Sequence, residues 1–406
     1  MPRPRRRGIG MLLGAALLFT VGTSVQAGWV IALSAMVLGT AIGGWLLPAR
    51  FVRGIDVTRR GPAEAFQGDE VDVEYVVESR SPGVRLGVDV IDGFLSPGRF
   101  AVPSLARGER VAIGVVRRAL RRGAHDGGDL VIASAAPFGV AEARRSVPAE
   151  GRTVVYPAVE RLGSVPFLDD VPTFERSTHA EPRRGVGPEY LGVREYRTGD
   201  SMRHVHWPST ARHGQLMVRE FEREHTRRVA VVLDTSSDAG DGPTPLDRAC
   251  SVAASLAFAA MGNGHGVRLI AGRDGRVDAL SRASRASILG WLAELAPFGG
   301  IAPRDLVASL PEHLRGVHTA VLVLPSWAST AGVGRDLADG LAGIGRVAAV
   351  IVDAAEFDGV PARLAMSPPG LGALQSELSA AGCHVFRLRA GEEVGACLSR
   401  PLVASA

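Results

Sequence analysis

The chain has 406 residues, of which 46% are hydrophobic, so it is long enough for roughly two or three domains and too apolar to be disordered as a whole. Its formal net charge is +4, from 46 basic and 42 acidic residues spread along the chain, which argues against a nucleic-acid binder. Arg supplies every one of the basic residues, and the absence of Lys excludes a P-loop ATPase. The three cysteines, Cys250, Cys383 and Cys397, are far apart, lack metal-ligand spacing and fit a reducing compartment.

A long uncharged segment follows the arginines at the N-terminus. From Gly8 to Leu47 there is no charged side chain, and this run is about twice the ~20 residues that one membrane-spanning helix needs. Residues 1–50 are therefore predicted to form a hairpin of two transmembrane helices that turns near Gln26. Arginines flank the hairpin at both ends, and the positive-inside rule then places both ends in the cytoplasm. We expect a multi-pass protein of the inner or plasma membrane with its C-terminal bulk in the cytoplasm.

A signal peptide is the alternative interpretation of this N-terminus. Val25, Gln26 and Ala27 resemble a small-residue cleavage site that follows an apolar stretch. Cleavage there would leave residues 28–47 as a single span, with the bulk of the protein still in the cytoplasm.

Residues 51–160 alternate short β-rich runs with Gly, Pro and Asp, which predicts an antiparallel β-sandwich or a small barrel. In the run "EVDVEYVV", Val71, Val73, Tyr75 and Val77 share one face while the acidic residues share the other, as in a half-buried strand. The charged residues of this domain form no catalytic constellation, and we interpret them as a solvated face.

Residues 161–226 combine a linker with a segment of unusual composition. The polar, Pro-containing stretch 162–188 is predicted to be an exposed linker. The next stretch, residues 192–224, places many Arg, His and Glu residues around a Trp, and we call it the signature segment.

Residues 227–406 are predicted to form an α/β domain. Apolar runs such as "RVAVVLD", "VRLIAG", "TAVLVLP", "VAAVIVDA" and "HVFRL" alternate with helical patterns, which indicates a parallel sheet with helices on both faces. Ligands of such sheets bind at the carboxyl ends of the strands, so the loop after the first strand is the first candidate site.

That loop contains Asp234, Ser236 and Asp238, whose side-chain oxygens could converge on a hard cation such as Mg²⁺. The alternative is that the Asp and Ser side chains cap the loop and the following helix. The sequence alone leaves both possibilities open.

The signature segment resembles the bacterial membrane-protein family called domain of unknown function 58 (DUF58). The pattern G-x-x-x-x-G-x-R-E-Y-x-x-G-D-x-x-R-x-x-x-W-x-x-x-A-R is matched at Gly187, Gly192, Arg194, Glu195, Tyr196, Gly199, Asp200, Arg203, Trp207, Ala211 and Arg212. The resemblance extends over essentially the whole chain. It implies a von Willebrand factor A-like domain and an association with MoxR-type AAA+ ATPases, and it implies no reaction.

The Asp234 loop resembles the D-x-S-x-S metal-adhesion loop of von Willebrand A-type domains, but this chain departs from that pattern. Asp238 stands in place of the final Ser, Ile301 stands where a Thr would be expected, and Ser326 stands where an Asp is usual. The resemblance therefore makes Mg²⁺ a possible cofactor and leaves the rest of the metal site poorly matched.

Three interpretations of the signature segment remain open. As a clamp between domains, Tyr196 and Trp207 would bury their rings, and the arginines at positions 194, 203 and 212 would pair with neighbouring carboxylates. As a docking surface, the same arginines would bind a partner or an anion. As a catalytic site, His204 and His206 could hold a metal, although no further ligand at the right spacing supports them.

Two classes of function follow. The first is a membrane-anchored adaptor or scaffold that catalyses no reaction and acts with a MoxR-type ATPase, and with neighbouring membrane proteins, in protein maturation or envelope processes. The alternative is a hydrolase that uses His204, His206 and Asp200, or the Asp234 loop.

Overall fold

The computed structural model describes residues 3–4, 6–169, 185–196, 202, 205–221, 228–281, 283–296, 301–341 and 343–399. The helices of these residues are α1 (Arg6–Ser24), α2 (Gly28–Phe51), α3 (Pro166–Asp169), α4 (Trp207–His213), α5 (Pro245–Gly262), α6 (Arg285–Glu294), α7 (Pro303–His313), α8 (Val333–Gly340), α9 (Pro368–Ala380) and α10 (Val394–Leu398). The strands of the first half are β1 (Arg3–Pro4), β2 (Ile55–Arg60), β3 (Glu64–Phe66), β4 (Glu70–Ser79), β5 (Arg85–Asp92), β6 (Gly98–Leu105), β7 (Arg110–Arg118), β8 (Gly123–Asp126), β9 (Asp129–Ser134), β10 (Ala141–Pro148) and β11 (Arg152–Tyr156). Those of the second half are β12 (Gly185–Glu195), β13 (Met217–Phe221), β14 (Arg228–Leu233), β15 (Gly266–Arg273), β16 (Arg276–Ser281), β17 (Thr319–Pro325), β18 (Arg346–Val352) and β19 (His384–Leu388).

The two N-terminal helices form the predicted hairpin. By length and composition, α1 and α2 are each long and apolar enough to cross a membrane. The chain turns between them at Gln26, whose φ is 54°, and the Ser34 hydroxyl donates to the Ala15 carbonyl at 2.8 Å across the helix pair. The prediction of two apolar helices is confirmed, whereas membrane spanning and the side on which the helix ends lie stay predictions.

The β-sandwich contains antiparallel sheets and one parallel pair. Its strands, with β1, form sheets of order β1-β10-β9-β5-β6, β2-β4-β7 and β3-β11-β8, and the pair β3–β11 is parallel. Val73, Tyr75 and Val77 of β4 are buried in the core, whereas Glu70, Asp72 and Glu74 are exposed. The alternation predicted for this strand is confirmed.

The arginines of this domain are not all solvated, which corrects the sequence interpretation. Arg59 of β2 is 4% exposed inside the sandwich. Its Nη1 donates to both carboxylate oxygens of Asp92, at 2.9 and 2.7 Å, and Tyr75 donates its hydroxyl to the same carboxylate at 2.8 Å. Arg59 also stacks over the Phe94 ring at 4.0 Å. Sequence periodicity does not predict the buried ion pair of Arg59 and Asp92, because the two residues lie on different strands, β2 and β5.

The stretch predicted as an exposed linker is partly a core element. Val165, Phe167 and Leu168 are buried against α5 and the six-stranded sheet, because a short apolar run here covers one edge of that core. Residues 170–184 of the stretch lie outside the described residues.

The α/β domain contains a six-stranded sheet of order β16-β15-β14-β17-β18-β19. Five of its strands are parallel, and the edge strand β16 runs antiparallel to β15. Strand β16 and helices α7 and α10 were missed by the sequence pattern, and the other predicted elements are present. Counted within the domain, the order is 3-2-1-4-5-6, which is a doubly wound arrangement.

Helices cover both faces of this sheet. Along β14, Val229, Val231 and Leu233 pack with α5, α6 and α10, whereas Ala230 and Val232 pack with α7, α8 and α9. In a doubly wound sheet the strand order reverses between the first and fourth strands, which are β14 and β17 here, and the ligand crevice opens there at the carboxyl ends. The Asp234 loop leaves β14 at that crevice.

Candidate functional site

The signature segment folds as a small unit of its own, formed by β12, α4 and β13. Strands β12 and β13 are antiparallel, with Val193 opposite Arg219 and Glu195 opposite Met217. Beyond β12, the Tyr196 amide donates to the Leu216 carbonyl at 2.8 Å. We call the described residues of this stretch, 185–196 and 205–221, the signature unit.

Local hydrogen bonds fix α4 against β13. The His206 amide donates to the Met217 carbonyl at 2.7 Å, and the Met217 amide donates to the Thr210 hydroxyl at 3.0 Å. His206 Nδ1 lies 2.8 Å from the Ser209 hydroxyl at the start of the helix. The helix ends at Gly214, whose φ of 71° is the left-handed conformation that favours glycine at this position.

The outer face of α4 is open to solvent. Trp207 is 64% exposed, and Arg212 and His213 in the last turn are also exposed. The expectation that Trp207 buries its ring is therefore wrong. Trp207, at the first position of this short helix, takes no part in the hydrogen bonds to β13, which are made by the His206 amide and the Thr210 hydroxyl.

The other signature residues divide into two groups. Glu195 is exposed and accepts a hydrogen bond from the Gln215 side chain, Tyr196 is half-buried, and Arg194 lies on β12 opposite Val218. Gly199, Asp200, Arg203 and His204 lie outside the described residues. Their predicted roles, including the clamp and the two-histidine metal site, stay predictions.

The second candidate site is the Asp234 loop. Asp234 is 1% exposed, and its Oδ1 accepts a hydrogen bond from the Ser236 amide at 2.9 Å. Its Oδ2 and the Ser236 hydroxyl are buried without a hydrogen-bond partner among the described residues. Burial raises the pKa of Asp234, and the hydrogen bonding from Ser236 offsets this rise only in part.

Asp238 is directed towards the start of α5. Its Oδ1 accepts from the Leu246 amide at 3.3 Å, and its Oδ2 lies 3.6 Å from Nη2 of Arg121. Burial raises the pKa of Asp238, and the Thr244 hydroxyl counteracts that rise. This is the capping arrangement that the sequence left open as the alternative to a metal ligand.

The residues around the loop fit a cation only in part. Asp234 and Ser236 offer unpartnered oxygens, whereas Asp238 is engaged by a guanidinium and a backbone amide. Ser326 is also engaged, because its hydroxyl accepts from the Ala354 amide at 2.9 Å. Within the described part of the chain, no group of three or more His, Cys, Asp or Glu side chains could hold a metal ion. Mg²⁺ binding stays a prediction that this arrangement does not favour.

An arginine from the β-sandwich reaches the same end of the α/β domain. Arg122 lies between β7 and β8, and its Nη1 donates to Asp247 Oδ1 at 2.5 Å. Its Nε and Nη2 donate to the carbonyls of Leu292 and Leu295 at the end of α6. Asp247 belongs to the capping box of α5, in which Thr244 and Asp247 exchange hydrogen bonds. Sequence analysis missed this contact, since nothing local distinguishes Arg122 from other arginines.

A second bridge ties the start of the linker to the same domain. Glu160 accepts from Arg248 at 2.6 Å and from the Val394 amide at 2.6 Å, and its own amide donates to the Ser255 hydroxyl at 2.9 Å. The β-sandwich and the α/β domain are therefore joined by ionic contacts at Arg122 and Glu160.

Comparison with solved structures gives weak likenesses that carry no argument about this chain. The CARDB domain of a Pyrococcus furiosus protein is 13% identical, with a TM-score of 0.15, over 24% of this chain and 94% of that one. The Pseudomonas fluorescens alkylpurine DNA glycosylase AlkC, bound to DNA containing an abasic site analog, is 16% identical, with a TM-score of 0.17, over 34% of this chain and 46% of that one.

Comparison with curated proteins finds no match. One family model, described as "Protein of unknown function DUF58", matches residues 192–331, which run from the signature unit to just beyond β17. The match is narrower than the whole-chain resemblance that the sequence suggested, and it includes Trp207, Arg212, the Asp234 loop and Asp247. Over residues 192–331, therefore, this chain is similar to the DUF58 family.

Proposed function

We propose that this protein is a membrane-anchored adaptor that presents the signature unit to a soluble partner, and that the partner is a MoxR-type AAA+ ATPase. In this proposal α1 and α2 are the anchor, and the β-sandwich and the α/β domain are a rigid support. We also propose that residues 227–406 form a von Willebrand A-like domain, for which the doubly wound strand order is the support.

The observation that carries the proposal is the exposure of Trp207. Exposing a large aromatic ring to water has a cost that burial in an interface recovers, at about 25 cal/mol per Å² of apolar surface. Trp and Arg are the residue types most enriched among the side chains that dominate binding energy, and Arg212 is exposed on the same short helix. An exposed Trp and an exposed Arg on one short helix suit a partner surface that offers an apolar pocket and a carboxylate.

Among the described residues, which leave out Asp200 and His204, no specific observation favours the hydrolase alternative. His206 immediately precedes α4, and Ser209 lies three residues later in its first turn. Their contact is therefore explained by the local helix geometry and needs no catalytic role. We therefore retain the adaptor as the single proposal.

A photo-reactive amino acid at position 207 of the full-length protein in native membranes tests the proposal. We expect a covalent adduct with the AAA+ ATPase, identified by mass spectrometry and absent from cells that lack the ATPase. The matched control is position 116 on β7, because Val116 is also apolar and is 59% exposed. The same adduct from both positions, or adducts from position 207 that never contain the ATPase, would refute docking through α4.

A further inference from the structure

The β-sandwich packs directly against both apolar helices through Val140. Val140 is 2% exposed, and a Cβ added to Gly8 of α1 would lie 2.4 Å from its carbonyl oxygen. A Cβ added to Gly44 of α2 would lie 2.6 Å from its Cγ2. Both helices therefore carry glycine where Val140 packs, since a larger residue would collide. Strand β1, which precedes α1, pairs with β10 of the sandwich. The sandwich is therefore attached to the hairpin at the N-terminal end of α1 as well as at Gly8 and Gly44.

With α1 and α2 as the membrane anchor of the proposed function, this contact would lie at the depth of a membrane interface. Gly44 precedes Arg50 by six residues, or about 9 Å along the helix, and no charged side chain lies between them. Trp45, beside Gly44, is 39% exposed, and Trp29 near the other end of α2 is 75% exposed. The two rings are about 24 Å apart along the axis, close to the spacing of the aromatic belts at the two surfaces of a bilayer core about 30 Å thick.

Exposed apolar side chains of the sandwich lie on segments next to this contact. They are Val84, Leu86 and Phe138. Phe138, 50% exposed, has its Cβ 3.5 Å from a Cβ placed on Gly44. The Leu86 carbonyl accepts from Ser134, close to the same loop, and Arg85, between Val84 and Leu86, donates to the Arg53 carbonyl just beyond α2.

Positive charge surrounds the same end of the hairpin. The exposed arginines there are Arg3, Arg6, Arg7, Arg50 and Arg53. In a membrane leaflet the acyl chains lie inside the layer of anionic headgroups. The apolar side chains at the level of Trp45 and the arginines beyond them follow the same order.

We propose that residues 135–140, which we call the membrane loop, insert into the interfacial layer of the bilayer, with Phe138 in contact with lipid. The occupant of this surface is lipid, because the surface continues the lipid-facing sides of α1 and α2 and bears the charge that anionic headgroups complement. The inference rests on the membrane anchoring within the proposed function. The β-sandwich then lies against the membrane and fixes the orientation of the α/β domain and the signature unit.

Site-specific spin labels test the inference in the full-length protein. The three native cysteines are buried, so a single introduced cysteine can be labelled selectively. Phe138→Cys is compared with Val116→Cys, a matched exposed position on β7, and with Leu17→Cys, a 65% exposed position in α1. Each nitroxide is measured in nanodiscs of phosphatidylethanolamine and phosphatidylglycerol for collisions with oxygen and with a water-soluble nickel complex.

We expect the ratio of oxygen to nickel accessibility at position 138 to resemble that at position 17 and to exceed that at position 116 several-fold. A water-like ratio at 138 with a lipid-like ratio at 17 would overturn the inference and leave the membrane anchor intact. Water-like ratios at both would overturn the anchor and the inference together. Shielding of position 138 from both reagents would mean that protein, not lipid, covers the loop. If Phe138→Cys fails to fold, Phe138→Trp is measured in nanodiscs that contain brominated lipids. Lipid contact predicts that the fluorescence contributed by the introduced Trp is quenched.

Discussion

Arg122 of the β-sandwich donates to Asp247 of α5 at 2.5 Å, and their side chains are 4% and 2% exposed. Two carbonyls at the end of α6 accept from the same guanidinium, so all three of its nitrogens are bound. The sequence left open an ionic clamp between domains in the signature segment; ionic contacts join the β-sandwich to the α/β domain at Arg122 and Glu160. Trp207 is exposed, so this ring does not act as a buried anchor between domains.

Replacing Arg122 is predicted to destabilise the whole protein. Arg122→Gln removes the buried counter-ion that is hydrogen-bonded to the buried Asp247 carboxylate, which costs about 3–5 kcal/mol in the free energy of unfolding. Chemical unfolding of the full-length protein in detergent measures the loss.

The adjacent arginine supplies the matched control for this prediction. The Arg121 side chain is 47% exposed and lies 3.6 Å from Asp238 and 3.9 Å from Asp247. Solvent screens such pairs, so Arg121→Gln is expected to cost at most about 1 kcal/mol. Equal losses in the two variants would show that burial of the Arg122 pair is not what stabilises the interface.

The hydroxyl of Tyr75 is predicted to make the sandwich sensitive to alkaline pH. Burial, together with the hydrogen bond to Asp92, raises the pKa of Tyr75 from 10.0 to about 12. A proton therefore binds the folded state more tightly, so this contribution to stability is complete below pH 10 and is lost as the pH rises towards 12. Thermal unfolding between pH 9 and pH 12 should decline less steeply for Tyr75→Phe than for the native protein. Parallel curves would contradict the prediction.

The buried charge of Asp234 is predicted to lower stability at neutral pH. Because burial raises the pKa of this carboxyl, the folded state loses stability as the pH rises through that pKa. Asp234→Asn removes the charge and keeps an acceptor for the Ser236 amide. We expect it to gain about 1 kcal/mol at pH 7, or about 2–4 °C in Tm, and to lose this advantage below about pH 4. A variant that is less stable than the native protein at pH 7 would show that the charge has a favourable partner.

Mg²⁺ is predicted to leave the Tm of the native protein unchanged. A ligand that binds only the folded state raises the Tm, and Asp238 is already engaged by Arg121 and the Leu246 amide. Thermal unfolding with and without the ion checks this, with Asp234→Ala as the control. A rise in the native protein that is absent from the control would establish the metal loop.

Sequence pattern predicted those parts of the fold that depend on local periodicity. The uncharged run predicts α1 and α2, the alternation in β4 predicts its buried face, and the apolar run before Asp234 predicts β14 and the crevice at its end. Strand β16 was missed because it follows β15 after a tight turn and has no fully buried face.

The contacts at the candidate site depend on the packing of distant segments, which is why the sequence did not predict them. Arg122 and Asp247 are 125 residues apart, and neither stands out in its local sequence. The burial of Trp207 was predicted wrongly from its local sequence context. A large ring beside a turn is usually an anchor, but its place at the first position of a seven-residue helix directs it into solvent.

The most direct test of the adaptor proposal is the effect of Trp207→Ala on stability and on partner binding, measured together in the full-length protein in nanodiscs. Because the ring is exposed, we predict a change of less than about 0.5 kcal/mol in the free energy of unfolding. We predict a loss of affinity for the purified MoxR-type ATPase of at least about tenfold, with Val116→Ala unaffected in both measurements. A Trp207→Ala protein that binds the ATPase as tightly as the native protein, or that loses several kcal/mol of stability, would contradict the account of α4 as the docking surface.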